Sequence, residues 1–242
     1  MPDAAFLPQP AAPPDDLLTR PVAHTFKDDA RTTVWRCDDD AGNAWVVKRF
    51  NAPRWAQAWR RALRVHPADR ERRWDRQLSG NRVPVVRIAG GGVDAAGRSW
   101  LVTPDAGASL HRLLSDGALR DARLRQRLAR EAGAVTGAVL ASRAFNRDHR
   151  APNLVAGDAS REPMLLIDYG GCRSARGAPL LAAALPMLTQ LDASVARAAG
   201  LADDPVPVSR TDRLRFFRAL IAAWPGPPDG LQHLPRHPEF SG

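Results

Sequence analysis

The character of this chain changes once, near Thr103-Pro104. Before that point the local signals are mostly those of strands. Residues 31–37, RTTVWRC, are β-branched and aromatic, DDDAGN (38–43) is a turn, and residues 44–50, AWVVKRF, read as a second strand. Together they predict a β-hairpin over 31–50. Two helices are expected over 53–64 and 67–79, each starting at or near a proline. Strands near 83–88 and 98–103 would flank a loop, AGGGVDAAG. After Thr103-Pro104 the apolar residues fall at helical spacing. ASLHRLL (108–114) starts a helix, and residues 118–142 carry Leu124, Leu128, Val135 and Val139 on one face. Short strands NLVA (153–156) and MLLI (164–167) follow, then helices over about 179–200 and 209–224. The expectation is an α+β protein with a sheet-rich lobe over 21–103 and a helical lobe over 104–225. Residues 1–20 read as a disordered Pro/Ala tail and 226–242 as a Pro- and Gly-rich C-terminal tail.

Composition narrows the class. The 242 residues are 44% hydrophobic and 25% charged, which excludes a disordered chain. Two cysteines, Cys37 and Cys172, exclude a disulfide scaffold and form no CxxC pair. No apolar run is long enough to span a membrane, and the acidic, Pro-rich start is unlike a signal peptide. The net charge of +9 favours acidic partners. Arg54, Arg60, Arg61, Arg64, Arg70, Arg72, Arg73 and Arg76 crowd one stretch, which reads first as a solvated helical face. Trp55, Trp59 and Trp74 interleave with them at helical spacing, as packing residues do. No aromatic-basic recognition motif supports a nucleic-acid partner. Lysine is scarce: Lys27 and Lys48 are the only two. A bias toward arginine explains the bulk of the composition, so a surviving lysine marks a place where arginine is chemically unacceptable.

The polar loop Phe145-Asn146-Arg147-Asp148-His149-Arg150-Ala151-Pro152-Asn153 carries the densest chemistry. Fifteen residues after Asn153 comes Asp168, in Ile167-Asp168-Tyr169-Gly170. Phosphoryl transfer needs one carboxylate to orient an attacking hydroxyl, and a second carboxylate with an amide oxygen to hold magnesium. A hairpin over 153–168 would return Asp168 beside Asn153, with Gly170 permitting the turn after it. His149 earns a role only by proximity. The other histidines show no metal spacing.

RDHRAPN resembles the protein-kinase catalytic loop R-D-x-K-x-x-N, and IDYG resembles the D-F-G metal motif. AWVVKRF resembles the V-A-I-K strand. By that resemblance Lys48 would contact nucleotide phosphates and pair with a helix glutamate, for which Glu71 is the choice and Asp75 the alternative. GNRVPVVR after Glu71, PMLTQLDASV (186–195) and SRTDRLRFFRALI (209–221) are similar to segments of the bacterial lipopolysaccharide kinase family, the Kdo and core-heptose sugar kinases. The likeness runs in order over about residues 26–224. It implies a protein-kinase-like bilobal fold and an ATP- and magnesium-dependent phosphotransferase acting on an alcohol group. Asp148 would be catalytic with Arg150 assisting, Asn153 and Asp168 would hold metal, and Lys48 and Glu71 would bind nucleotide. The implied acceptor is a lipopolysaccharide core sugar or related glycolipid. The implied location is the cytoplasm, with room for peripheral contact with an anionic inner membrane.

Two departures keep rivals open. Asn146 stands where the family has histidine, and the loop expected to cover nucleotide, FKDDARTT (26–33), has no glycine. Lys27 and Thr33 are the candidate phosphate contacts there, opposed by Asp28 and Asp29. A protein Ser/Thr kinase, or a pseudokinase scaffold, are the alternatives. The stretch GCRSARGAPLLAAALP (171–186) has little room for a phosphorylated activation loop, which favours a small or lipid-linked acceptor over a protein.

Overall fold

The structure is a computed structural model and describes residues 12–14, 16–63, 66–117, 120–156, 163–175 and 180–224. The C-terminal tail expected over 226–242 and most of the N-terminal one lie outside these. The protein is α+β and divides into two compact units. One comprises the described residues up to Ser79 with Val86–Asp105, and the other Gly80–Val85 with the described residues from Ala106 on.

In the first unit, β1 (His24–Asp28), β2 (Thr32–Asp38), β3 (Ala44–Phe50), β4 (Gly90–Val93) and β5 (Ser99–Pro104) form an antiparallel sheet ordered β1-β2-β3-β5-β4. The expected hairpin is β2–β3, in register from Thr32 opposite Phe50 to Asp38 opposite Ala44. Gly42 takes φ 80° in its turn, a conformation that glycine adopts at little cost. Strand side chains alternate faces, and the core follows that parity. Trp35, Cys37, Trp45, Val47 and Val102 pack on one face with Leu17. Phe50 and Leu101 pack on the other with Ala68 of the helix α2 (Pro67–Gly80). The tail expected over 1–20 therefore ends earlier. Residues 16–20 form a turn, and Leu17 is wholly buried against the sheet.

The expected strand near 83–88 is not one. The pairing strand lies further on, in the Gly90-Gly91-Gly92-Val93 run that reads as loop by composition. Close approach explains it. A Cβ on Gly91 would stand 2.5 Å from the Trp100 carbonyl oxygen, so only glycine lets β4 pair there. Val85 instead makes a lone parallel bridge to Leu166 within the second unit.

That unit holds β6 (Ala108–Ser109), α3 (Leu110–Ser115), α4 (Ala122–Ala141), β7 (Ala144–Asn146), β8 (Leu154–Ala156), β9 (Met164–Leu166), β10 (Cys172–Ser174), α5 (Leu180–Ala199) and α6 (Arg210–Ala223). Two small sheets, β6-β8-β9 and β10-β7, bracket the polar loop. Ser109, Asp121 and Ser209 cap α3, α4 and α6, and Ser209 with Asp212 makes a full capping box. Leu128, Val135 and Val139 of α4 are buried. Its Gly133 and Gly137 meet the Phe216 and Leu220 carbonyls of α6 so closely that a Cβ would stand 2.2 and 2.3 Å away. Among the described residues no helix is long and apolar enough to cross a membrane.

Candidate functional site

The predicted residues fall into two groups, one in each unit. In the first unit the parity of β3 puts Lys48 on the same face as Phe50, the face that α2 covers. Pro67 begins α2, and His66 Nδ1 accepts the Ala68 N–H, one of the donors that a helix start leaves unpaired. From there Ala68, Glu71, Trp74, Asp75 and Leu78 form the buried stripe. Two of those five are acids, and a buried carboxylate needs a partner. Lys48 Nζ donates to Glu71 Oε1 at 2.6 Å, with the two side chains 20% and 10% exposed. Asp75 takes Arg87 Nε at 3.1 Å and the Ile88 N–H at 3.3 Å. The two acids between which the sequence left the choice thus hold different cations.

The hairpin tip over 26–33 closes on itself. Asp29 accepts the Arg31 and Thr32 N–H groups and pairs with Lys27 at 3.1 Å. Those backbone bonds, with Lys27 beside them, hold its carboxyl below the usual carboxylate range. Thr33 donates to Asp28 at 2.8 Å and accepts from Asn51 at 2.8 Å. Lys27 and Thr33 are therefore engaged with the acidic pair that weighed against phosphate contact.

In the second unit β7 runs into the polar loop and β10 pairs back on it, Cys172 opposite Asn146. Asn146 is wholly buried, and its Oδ1 accepts the Asp148 N–H at 3.0 Å. Asn146 therefore braces the loop through its amide. A Cβ on Gly171 would stand 2.8 Å from that same Oδ1, so the close passage of the 168–171 turn requires glycine there. A 3₁₀ turn, Ala151–Asn153, then leads into β8. Asn153 donates Nδ2 to the Asp148 carbonyl at 2.7 Å and to its Oδ2 at 3.3 Å. With the amide nitrogen committed to Asp148, the amide oxygen is the atom left to ligate. Arg150 Nε pairs with the other carboxylate oxygen, Oδ1. The β8–β9 hairpin returns the chain as expected: the Ile167 N–H donates to the Asn153 carbonyl at 2.9 Å, which sets Asp168 next along from Asn153. The turn expected at Gly170 falls on Asp168 itself, at φ 51° and ψ 56°, a left-handed conformation that aspartate tolerates better than most residues.

No cluster of three His, Cys, Asp or Glu side chains placed to hold a metal occurs among the described residues. Asn153 and Asp168 offer an amide oxygen and a carboxylate, the kind of oxygen ligand a hard cation takes, and by themselves they are no self-sufficient protein cage.

Several neighbours carry no motif. The Ala151 N–H donates to Ser194 Oγ of α5 at 2.8 Å. Beside Arg150 and Pro152 opens a pocket of about 310 Å³, lined also by His111, Gln190, Ser194 and Arg197. A smaller apolar cavity of about 90 Å³, lined by residues such as Leu128, Leu188 and Phe217, holds none of the candidate residues. His149 is fully buried and bonds Thr136 of α4 at 2.9 Å. Burial pushes its pKa down to about 4. It is a structural neighbour of Asp148 and no base for a solvent-borne substrate.

Comparison with protein-family models and with curated proteins finds no match to this chain.

Proposed function

We propose that this protein is an ATP- and magnesium-dependent kinase with a protein-kinase-like bilobal fold, transferring phosphate to a hydroxyl of a lipopolysaccharide core sugar or related glycolipid. The observation that carries the proposal is the Lys48–Glu71 pair. A lysine in a chain with only two of them is held at 2.6 Å by one of only four glutamates, 23 residues away. That arrangement fixes a compact ammonium, a point charge whose place a planar guanidinium does not fill in the same way.

The remaining roles follow from the second unit. Asp148 orients the acceptor hydroxyl and accepts its proton. Asn153, through its amide oxygen, and Asp168 hold magnesium, which when bound neutralises charge on the phosphates. Arg150 pairs with Asp148, and its guanidinium is the group available to a transferring phosphoryl. The pocket beside Arg150 supports an acceptor that is small or anionic, since Arg150, Arg197 and His111 all line it. After Asp168 the chain enters β10 almost at once, and α5 begins at Leu180. So short a segment supports a small acceptor over a protein.

The test is labelled ATP with the host's envelope extract. Label should enter a glycolipid fraction, and Asp148→Ala should slow it roughly 10²–10⁴-fold. Lys48→Arg keeps the charge and should also lose most activity. Unchanged incorporation in either variant refutes the assignment. Label in protein alone would point to a protein kinase. The second reading, a pseudokinase scaffold, is favoured by the closed hairpin tip at Asp28 and Asp29. It expects no shift in melting temperature with millimolar ATP and magnesium, whereas the kinase expects stabilisation.

A further inference from the structure

Helix α1 (Arg54–Ala62) is built inside out. Its buried residue is a polar one. Gln57 is wholly buried and donates Nε2 to the Phe50 carbonyl at 2.9 Å and the Ala52 carbonyl at 2.6 Å. Its Oε1 accepts the Ser99 N–H at 2.7 Å and faces His66 Nε2 at 3.3 Å. These contacts fix the rotation of the helix about its own axis, because turning it would strand the amide among unpaired backbone groups.

The consequence falls on the opposite face. Trp55, Trp59 and Leu63 are 74%, 67% and 58% exposed. At 100° per residue they lie within an arc of about 80°, with Gln57 on the far side. The sequence alone reads such tryptophans as packing residues. That holds for Trp74, which is 7% exposed, and fails for these two. Large apolar side chains aligned on one exposed helix face mark an interaction surface.

The chemistry of the helix selects the partner. RWAQAWRRA carries three arginines and no acidic residue, in a chain of net charge +9. Arg60 is exposed beside the aromatic row. Tryptophan is the side chain most at home between headgroups and acyl chains, and arginine pairs with lipid phosphate. We propose that α1 is an interfacial membrane anchor. It lies in the plane of an anionic bilayer with Trp55, Trp59 and Leu63 in the acyl boundary and Arg60 at the phosphates. This inference stands apart from the kinase reading and survives or fails without it.

The test is co-sedimentation of the full chain with vesicles of phosphatidylcholine and phosphatidylglycerol at 3:1, against phosphatidylcholine alone. The protein should pellet with the anionic vesicles and be released by 0.5 M NaCl. The triple variant Trp55→Ala, Trp59→Ala, Leu63→Ala should bind about tenfold or more weakly, since affinity scales with the apolar area inserted. Its melting temperature should be unchanged, because none of the three side chains is in the core. Three results would each overturn the proposal: wild type remaining in the supernatant, equal binding to neutral vesicles, or vesicle binding unaltered by the triple substitution. A wild-type dimer that the triple variant abolishes, without vesicle binding, would assign the face to a second copy of the chain instead.

Discussion

His149 should make this protein acid-sensitive well above the pH at which carboxylates protonate. The Thr136 hydroxyl donates to the Ala132 carbonyl at 2.6 Å, so it has no proton left for the imidazole. The 2.9 Å contact must then be His149 Nε2–H donating to Thr136 Oγ1. That leaves Nδ1 as a bare lone pair, buried and without a partner among the described residues. A proton added there would create a cation buried away from solvent, which is why the pKa falls to about 4 from an ordinary 6.5. The unfolded chain takes up the proton first as pH falls. Stability from this group is therefore complete above about pH 6.5 and lost progressively toward pH 4. With those two values the loss relative to pH 7.5 is about 1.4 kcal/mol at pH 5.5 and about 2.5 kcal/mol at pH 4.5. The perturbation is His149→Leu, which keeps the volume and removes the titration. Urea unfolding of both proteins at the three pH values gives the answer as a double difference, in which acidic groups common to both cancel. The variant should lose less stability on acidification by about those amounts. Parallel losses in the two proteins would refute the argument.

Two further perturbations test packing and pairing. Glu71→Gln removes the charge beside Lys48. It should cost about 1–2 kcal/mol in urea unfolding, less than for a deeply buried pair because Lys48 keeps some solvent contact, and under the proposed kinase activity it should raise the KM for ATP. An unchanged midpoint and KM would show the pair to be incidental. Gly137→Ala drives a methyl into the Leu220 carbonyl and should cost about 1–3 kcal/mol, only partly offset by the ~1 kcal/mol gain in helix propensity. Gly80→Ala meets nothing within 4 Å and should leave the melting temperature level or slightly raised, so equal effects at the two glycines would contradict the close-approach account.

The sequence was most informative where local pattern and burial agree. The β2–β3 hairpin, the five longer helices and the β8–β9 hairpin all lie close to their expected ranges; α2 and α4 each bury a periodic face, whereas α1 is set by Gln57 and β8–β9 is buried throughout. The pairing of Lys48 with Glu71 was legible through a resemblance, and its geometric reason, the parity that aims Lys48 at α2, shows only in the sheet. What escaped were features decided by distant contacts. Leu17 looks like part of a loose tail until Trp35, Trp45 and Val102 are seen around it. The triple-glycine strand has no strand propensity and exists because of its neighbour, Trp100. The bracing role of Ser194, and the arginine of the pocket at 197, depend on elements 40 or so residues apart that only the fold brings together, whereas Asn146 braces Asp148 from two residues away.

The six residues Gly80–Val85 have a consequence for how the chain can be divided. They leave the first unit after α2, and the Pro84 carbonyl accepts the Leu166 N–H at 3.0 Å before the chain returns to form β4 and β5. Each unit is therefore made of two stretches of sequence, interleaved with those of the other. No single cut yields two intact pieces. A fragment ending after Asp105 would carry Val85 away from its bridge to Leu166, and the remainder would expose the edge of β9. During synthesis β5 must be made before the first sheet can close, and residues 80–85 must wait for β9, more than 75 residues later, before they find their place. The two units are interleaved in sequence and joint in assembly.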